Sequence, residues 1–253
     1  MMIRPHPSLG ATGGGPLALV FGCLLSAGLV GSGGCGSLAS QGLNADGVRL
    51  FQEGQYNQAI AEFRDAIQAD PGNADGYYNL AATYHRIGKL EKRQPELDQA
   101  EQLYNQCLDR NSEHRDGYRG LAVLLVEEHR PNEAFRLLEN WGAQNPISSA
   151  AKLELARMLQ EFGDRKGAEA QLVCAVRIEP GNAQAWAALG QIREELGDRS
   201  QALTDYQRSL AYDRFQPEIE ARAATLQVAL GMPATVAPID DIRMASAPML
   251  PCR

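Results

Sequence analysis

Residues 183–213 read AQAWAALGQIREELGDRSQALTDYQRSLAYD and form two halves separated by Gly197 and Asp198. Apolar residues recur at spacings of three and four in each half, as expected for helices that each bury one face. Asp198 is a suitable N-cap for the second half, with Gln201 three residues later. The stretch therefore predicts two helices joined by a tight turn.

The pattern of this stretch recurs along the chain with a constant period, which Gly163, Gly197 and Gly231 keep. His129 stands where the glycine is expected one period earlier. An alanine recurs once in every unit: Ala59, Ala100, Ala134, Ala168 and Ala202. The interval from Ala59 to Ala100 is longer than the others because the second unit has extra residues near 91–97. These residues predict a longer turn or an extra helical turn. A constant period of this kind indicates stacked supersecondary units.

The pattern resembles the tetratricopeptide repeat, a helix–turn–helix unit of about 34 residues. Three positions of each unit carry the resemblance. The aromatic position of the first helix holds Leu43, Tyr77, Tyr118, Lys152 and Trp186. The small position four residues later holds Gly47, Ala81, Ala122, Ala156 and Gly190. The large position of the second helix holds Phe63, Tyr104, Leu138, Leu172 and Tyr206. Small residues let the paired helices approach closely, and large ones fill the space between neighbours.

The resemblance implies an all-α protein, a right-handed α-solenoid of about five repeats. The predicted boundaries are 40–73, 74–114, 115–148, 149–182 and 183–216, followed by a capping helix at 217–231. Residues 232–253 contain four prolines and no helical period, so we expect a disordered tail. Trp141 replaces a small residue of the other repeats and is expected to repack the third and fourth repeats or to point outward.

The leader, residues 1–39, differs in composition from the rest of the chain. No charged residue lies between positions 4 and 46, and a largely apolar run covers 16–30. That length is short for a spanning helix and typical of a signal-peptide core. Cys35 resembles the acceptor cysteine of bacterial lipoproteins, with two glycines before it but Ser32 where Leu or Val is usual. The leader predicts export, with lipidation of Cys35 or a plain cleavage after Ala39; an uncleaved anchor is the alternative.

The same leader contains a G-x-G-x-x-G pattern, formed by Gly31, Gly33 and Gly36, with Glu53 downstream. In a dinucleotide-binding turn this pattern follows a strand and opens a βαβ unit. Helical repeats follow it directly here, so we interpret the glycines as part of the export leader.

The remaining composition gives no indication of catalysis. The net charge of −7 argues against a nucleic-acid partner, which requires a basic face. The four histidines and five cysteines show no spacing typical of metal ligands. We therefore expect no cofactor, no metal site and no catalytic residue.

Tetratricopeptide arrays usually bind peptides or partner proteins in a concave groove lined by the first helix of each repeat. The resemblance assigns the following residues to that groove: Phe51, Tyr78, Asn79, Arg86, Arg119, Val123, Arg157, Gln160 and Gln191. Glutamates near its later part, at 154, 161, 194 and 195, predict a ligand with basic residues there. Only Asn79 matches the carboxylate clamp of chaperone-binding members, so a chaperone tail is not the expected ligand.

Taken together, the sequence predicts a non-enzymatic scaffold that binds a protein or peptide. Its leader predicts a place in the bacterial cell envelope, in the periplasm or anchored to a membrane by lipid. The expected partner is a protein or peptide, not a nucleic acid. The alternative is a cytoplasmic or membrane-anchored adaptor, a subunit of a larger enzyme complex.

Overall fold

A computed structural model describes residues 33–232 of the chain, with side chains from Gly36 onward. Within that range the chain forms α-helices and no strands. The first six are α1 (Gly33–Gln52), α2 (Tyr56–Ala69), α3 (Ala74–Glu91), α4 (Gln94–Arg110), α5 (Arg115–Glu127) and α6 (Pro131–Gln144). The remaining five are α7 (Ser149–Glu161), α8 (Arg165–Ile178), α9 (Ala183–Glu195), α10 (Arg199–Tyr212) and α11 (Pro217–Ala229).

The helices form five consecutive hairpins, and α11 packs on the last one. Each odd-numbered helix pairs with the even-numbered helix that follows it, and α1, α3, α5 and α7 also contact one another in series. The odd helices thus form one layer and the even helices a second layer. This arrangement confirms the all-helical solenoid that the repeat period predicts.

Glycines of the odd helices lie directly against large side chains of the even helices. A Cβ atom at Gly47 would lie 2.5 Å from the ring of Phe63, and one at Gly190 would lie 2.6 Å from the ring of Tyr206. Gly120 has the same relation to Tyr104 of the preceding repeat, at 2.5 Å. At Gly47 and Gly190 the small position of the sequence pattern therefore contacts the large position directly, and the missing Cβ leaves room for the ring.

Polar side chains cap the N-termini of most of the odd-numbered helices. The side chains of Asn73, Ser148 and Asn182 accept hydrogen bonds from backbone amides in the first turns of α3, α7 and α9. Asp198 does the same for α10, as its sequence position predicts. His114 caps α5 by accepting from the amide of Gly117 at 2.9 Å, a role that the sequence pattern did not indicate.

The turns inside the hairpins require a residue in the left-handed backbone region. Gly163 and Gly197 have φ values of 84° and 88°, and His129 has 61° at the equivalent place. In the second hairpin Gly88 lies inside α3 against Leu97, and Lys92 takes the left-handed position with φ 54°.

The extra residues of the second repeat lengthen both of its helices. Helices α3 and α4 have 18 and 17 residues, whereas the helices of the last three repeats have 13 or 14. Pro95 lies in the first turn of α4. Of the two alternatives, the extra helical turn is therefore confirmed.

Trp141 is buried and packs inside the third repeat. Its ring stacks on Tyr118 with centroids 4.2 Å apart and planes 9° apart. Of the two alternatives, the outward orientation is therefore excluded.

The ends of the predicted domains fall partly outside the described range. Helix α1 begins at Gly33, so its first residues belong to the predicted leader. The backbone of Cys35 is in that helix, but its side chain, the rest of the leader and the tail from 233 lie outside the described part. Among the described helices, none combines the length and apolar character needed to span a bilayer.

Candidate binding groove

The odd helices present a groove whose central part lies between α5 and α7. A cleft of ≈ 170 Å³ opens there. Its lining residues are Arg119, Ala122, Val123, Val126, Leu138, Glu154, Arg157, Met158 and Glu161. Val123 is 43% exposed and forms part of the open apolar surface. Three predicted groove residues, Arg119, Val123 and Arg157, therefore line one cleft.

The polar side of this cleft is built around the carboxylate of Glu154, which is 3% exposed. Arg119 binds both of its oxygens, with Nε 2.9 Å from Oε2 and Nη2 2.6 Å from Oε1. Arg115 donates from Nε to Oε1 at 2.7 Å. Arg157 is more distant, with Nη1 3.6 Å from Oε1. A single buried carboxylate thus gathers three guanidinium groups from α5 and α7.

The charges of this cluster depend on one another. Burial alone would raise the pKa of Glu154, but the hydrogen bonds from Arg119 and Arg115 hold it below its ordinary value. Burial lowers the pKa of Arg157, and repulsion from Arg119 and Arg115 adds to that effect against the attraction of Glu154. Glu154 is therefore ionised and fully hydrogen-bonded, while Arg157 is the least compensated of the three cations.

The predicted groove residues of the first two repeats make structural contacts of their own. Tyr78 is half-buried, and its ring packs against His114 at 5.2 Å and Tyr104 at 6.1 Å. Asn79 donates from Nδ2 to the Oδ1 of Asn44 at 3.0 Å. Phe51 packs edge-on against Tyr56. Arg86 alone of these is exposed and has no ion pair to a residue within 33–232.

Two of the predicted glutamates on α9 are paired with polar or charged side chains. Glu195 accepts from Gln160 at 3.1 Å and from Arg165 at 2.8 Å. Glu194 accepts from Tyr206 and Arg222. Glu161 is exposed, lines the cleft and has no ion pair to a residue within 33–232, so the expectation of basic residues in the ligand stays a prediction. Gln191 is half-buried on α9, outside the cleft.

Sequence reasoning missed the parts played by Arg115, Gln184 and His114. Arg115 reaches past Glu154 to the Oε1 of Gln184 on α9, at 2.8 Å, and so connects three successive repeats. His114 caps α5 and also bonds Asp75 of α3 through Nε2 at 3.0 Å.

A periodic signal could have located three other polar contacts between adjacent repeats. The pairs Asn44–Asn79, Arg119–Glu154 and Gln160–Glu195 are each separated by 35 residues, one more than the repeat. That separation places two side chains face to face on adjacent odd helices. A complementary polar pair at this distance therefore predicts a contact across the groove.

The described part of the chain holds no group of histidine, cysteine and acidic side chains that could bind a metal ion.

Comparison with known proteins agrees with this geometry. Models described as TPR repeat and tetratricopeptide repeat match residues 47–88, 74–107, 81–114, 125–192 and 183–216. A curated relative, the DnaJ homolog subfamily C member 7 homolog of Schizosaccharomyces pombe, is 26% identical over 67% of this chain and 38% of its own length. The human DnaJ homolog subfamily C member 3 is 21% identical over 70% of this chain and 45% of its own length. The chain thus spans less than half the length of these curated relatives.

Solved structures show the same fold at low identity. A thermophilic TPR protein of Thermus thermophilus superposes with a TM-score of 0.55, at 23% identity, over 75% of this chain and all of its own. PilW, described as a widely conserved type IV pilus biogenesis factor, gives a TM-score of 0.54 at 20% identity, over 76% of this chain and 86% of its own. The repeat period, the paired helical layers and the matched models agree, and the chain belongs to the tetratricopeptide repeat family.

Proposed function

We propose that this protein is a non-enzymatic scaffold that binds a protein or peptide in the groove between α5 and α7. The observation that carries the proposal is the cleft itself. It combines exposed apolar surface at Val123 with arginine side chains that are one-third exposed. Apolar and arginine side chains together are typical of energetically important binding surfaces.

A matched pair of substitutions tests the groove. Val123→Asp places a charge on the exposed apolar floor, whereas Ile147→Asp makes the same kind of change at the α6–α7 turn, where Ile147 is 84% exposed. We expect the full-length Val123→Asp protein to lose the partners that the unsubstituted protein captures. Loss of a central apolar contact typically weakens binding by about 2 kcal/mol, or roughly thirtyfold.

The measurement is affinity capture followed by quantitative mass spectrometry, with circular dichroism to verify that both variants are folded. If Val123→Asp still captures the partners and Ile147→Asp does not, the binding surface lies at the edge of the array and not in the groove. That outcome would end the groove proposal.

We further propose that the protein is exported to the bacterial cell envelope, in the periplasm or anchored to a membrane through a lipid on Cys35. The support is the leader sequence, with its apolar run at 16–30 and small residues before Cys35. The alternative is an adaptor that stays in the cytoplasm or keeps its leader as an anchor. It draws support from the curated relatives, in which the matching repeats make up less than half of a longer protein.

Metabolic labelling with a fatty-acid probe tests the lipid attachment. We expect the unsubstituted protein to be labelled and Cys35→Ser not to be, because the thiol of Cys35 is the proposed acceptor. Intact-mass analysis of both proteins then reports whether the leader is removed. Labelling that is absent from both, or equal in both, excludes lipidation at Cys35, and a mass that includes the whole leader excludes cleavage.

A further inference from the structure

Cys174 of α8 is disulfide-bonded. Its partner is not a described side chain, because the other cysteine whose side chain is described, Cys107, is buried and free. The sulfur that completes the bond therefore belongs to Cys23, Cys35 or Cys252.

The position of Cys174 in its repeat is open to solvent elsewhere in the array. The equivalent residues of the other even-numbered helices are exposed at Asp65 and Asn140 and half-buried at Gln106 and Arg208. Cys174, in contrast, is 9% exposed. Because the packing of the helices does not bury this position in the other repeats, the cover over Cys174 comes from outside the repeat pattern.

A second side chain on the same face of α8 is engaged as well. Arg177 follows Cys174 by three residues, which places the two side chains on one face of the helix. Arg177 also has an interaction partner. Two engaged side chains one turn apart are what a segment lying along this face produces.

Cys35 is too distant to be the partner. It belongs to the first hairpin, where the adjacent Gly36 lies against the carbonyl oxygen of Ala69 at the end of α2. Helix α8 is three hairpins further along the array, and helices in contact are about 8–10 Å apart. The resulting separation of about 25–30 Å exceeds the roughly 7 Å that a disulfide allows between Cα atoms.

The two remaining cysteines differ in their reach. Cys23 precedes Gly33 by ten residues, which span at most about 35 Å, so it would reach α8 only on a nearly straight path. It also lies in the apolar run of the leader, which the proposed cleavage removes. Cys252 follows Met232 by twenty residues, a reach of about 70 Å. Its segment leaves α11, which packs on α10, the even-numbered helix next to α8.

We propose that Cys252 is the partner of Cys174 and that their disulfide anchors residues 233–253 on the layer of even-numbered helices, opposite to the groove. The oxidant is a second disulfide. The thiolate of one cysteine attacks it and forms a mixed disulfide, and the thiolate of the other cysteine then displaces the remaining thiol. Two cysteine thiols are thus oxidised, one disulfide is reduced to two thiols, and the two protons pass to them.

This covalent site goes beyond the proposed groove function, but its formation in cells rests on the proposed export. Disulfides persist in oxidising compartments such as the periplasm and are rare in the cytosol. A single anchor does not require the rest of the segment to fold, so it is compatible with the expected disorder of the tail. It also keeps the segment away from the cleft between α5 and α7.

Peptide mapping of the full-length protein tests the pairing. The purified protein is equilibrated with glutathione disulfide, quenched with acid, alkylated with N-ethylmaleimide and digested with trypsin without reduction. Trypsin places Cys174 in peptide 167–177 and Cys252 in peptide 244–253, whereas both leader cysteines fall in a different peptide. We expect 167–177 and 244–253 to appear as one cross-linked species that reduction separates.

Cys252→Ser is the decisive variant, and Cys107→Ser is the matched control because Cys107 is buried and free. We expect Cys252→Ser to lose every cross-link from peptide 167–177 to another peptide of the chain. The control should keep the cross-link to 244–253. Circular dichroism verifies that both variants are folded.

A cross-link from peptide 167–177 to the leader peptide overturns the inference, and so does an alkylated Cys174 in the unsubstituted protein. Acid trapping of the thiols in intact cells tests the export separately. If the purified protein forms the bond but both thiols are alkylated in the protein trapped in cells, the export proposal fails and the pairing stands. If the purified protein does not form the bond, the inference fails, and Val123→Asp still decides the groove proposal.

Discussion

At the scale of single residues, Glu154 links stability to binding. Its carboxylate is buried, and it orients Arg119 and Arg115 by hydrogen bonds of 2.6–2.9 Å. Removal of one partner from a buried ion pair costs more than the pair itself contributes, because the remaining charges lose their counter-charge. The same carboxylate therefore determines how the guanidiniums are presented to the groove.

We expect Glu154→Gln to lower the free energy of unfolding by about 2–3 kcal/mol. Arg157→Gln should lower it by less than about 1 kcal/mol, because the Arg157–Glu154 pair is longer and Glu154 keeps its two closer partners. Chemical denaturation followed by circular dichroism measures both values. An equal loss of unfolding free energy in the two variants would contradict the conclusion that Glu154 contributes more to stability than Arg157.

The pH dependence provides a second readout for the same variant. The folded pKa of Glu154 is held below its ordinary value of 4.5, so its stabilising effect is present above that value. It is lost as the pH falls through the folded pKa, where the native carboxylate becomes protonated. The stability difference between the unsubstituted protein and Glu154→Gln should therefore shrink below about pH 4.5. A difference that is constant with pH would exclude a charged Glu154 as its cause.

At the scale of the helical elements, the left-handed turn residues decide how well each hairpin closes. Gly163 and His129 occupy equivalent turns with φ values of 84° and 61°. A side chain in this region is strained, whereas glycine is not. The third hairpin therefore closes at a cost that the fourth one avoids.

Opposite substitutions at these two turn positions should change the stability of the protein in opposite directions. We expect His129→Gly to stabilise the protein by about 0.5–1 kcal/mol and Gly163→Ala to destabilise it by about 1 kcal/mol. No atom lies within 4 Å of a Cβ placed at Gly163, so backbone conformation is the cause. Thermal or chemical denaturation measures both effects.

Gly42→Ala is the control for the glycine change, because Gly42 is inside α1 and also has open space at its Cβ. Alanine favours a helix by about 1 kcal/mol over glycine, so this variant should gain stability. If Gly163→Ala gains stability as well, the strain argument for these turns is wrong.

At the scale of the whole molecule, the repeat period was enough to predict the layers, the hairpins and the close packing at Gly47 and Gly190. It also predicted groove positions for Arg119, Val123 and Arg157, which line the cleft between α5 and α7. The sequence did not predict the burial of Glu154 or the reach of Arg115 to α9. Such ion pairs depend on the separation and rotation of adjacent repeats, which the period alone does not determine.

The lengthened second hairpin makes the repeats unequal along the axis of the solenoid. If all five units were alike, an extended ligand could bind equally well after sliding by one unit in either direction. The longer α3 carries His85 and Lys89 to Glu127 at the end of α5, and the start of α4 brings Gln94 to Glu128. A ligand displaced by one unit therefore meets a different surface. The second hairpin thus defines one alignment of an extended ligand with the repeats.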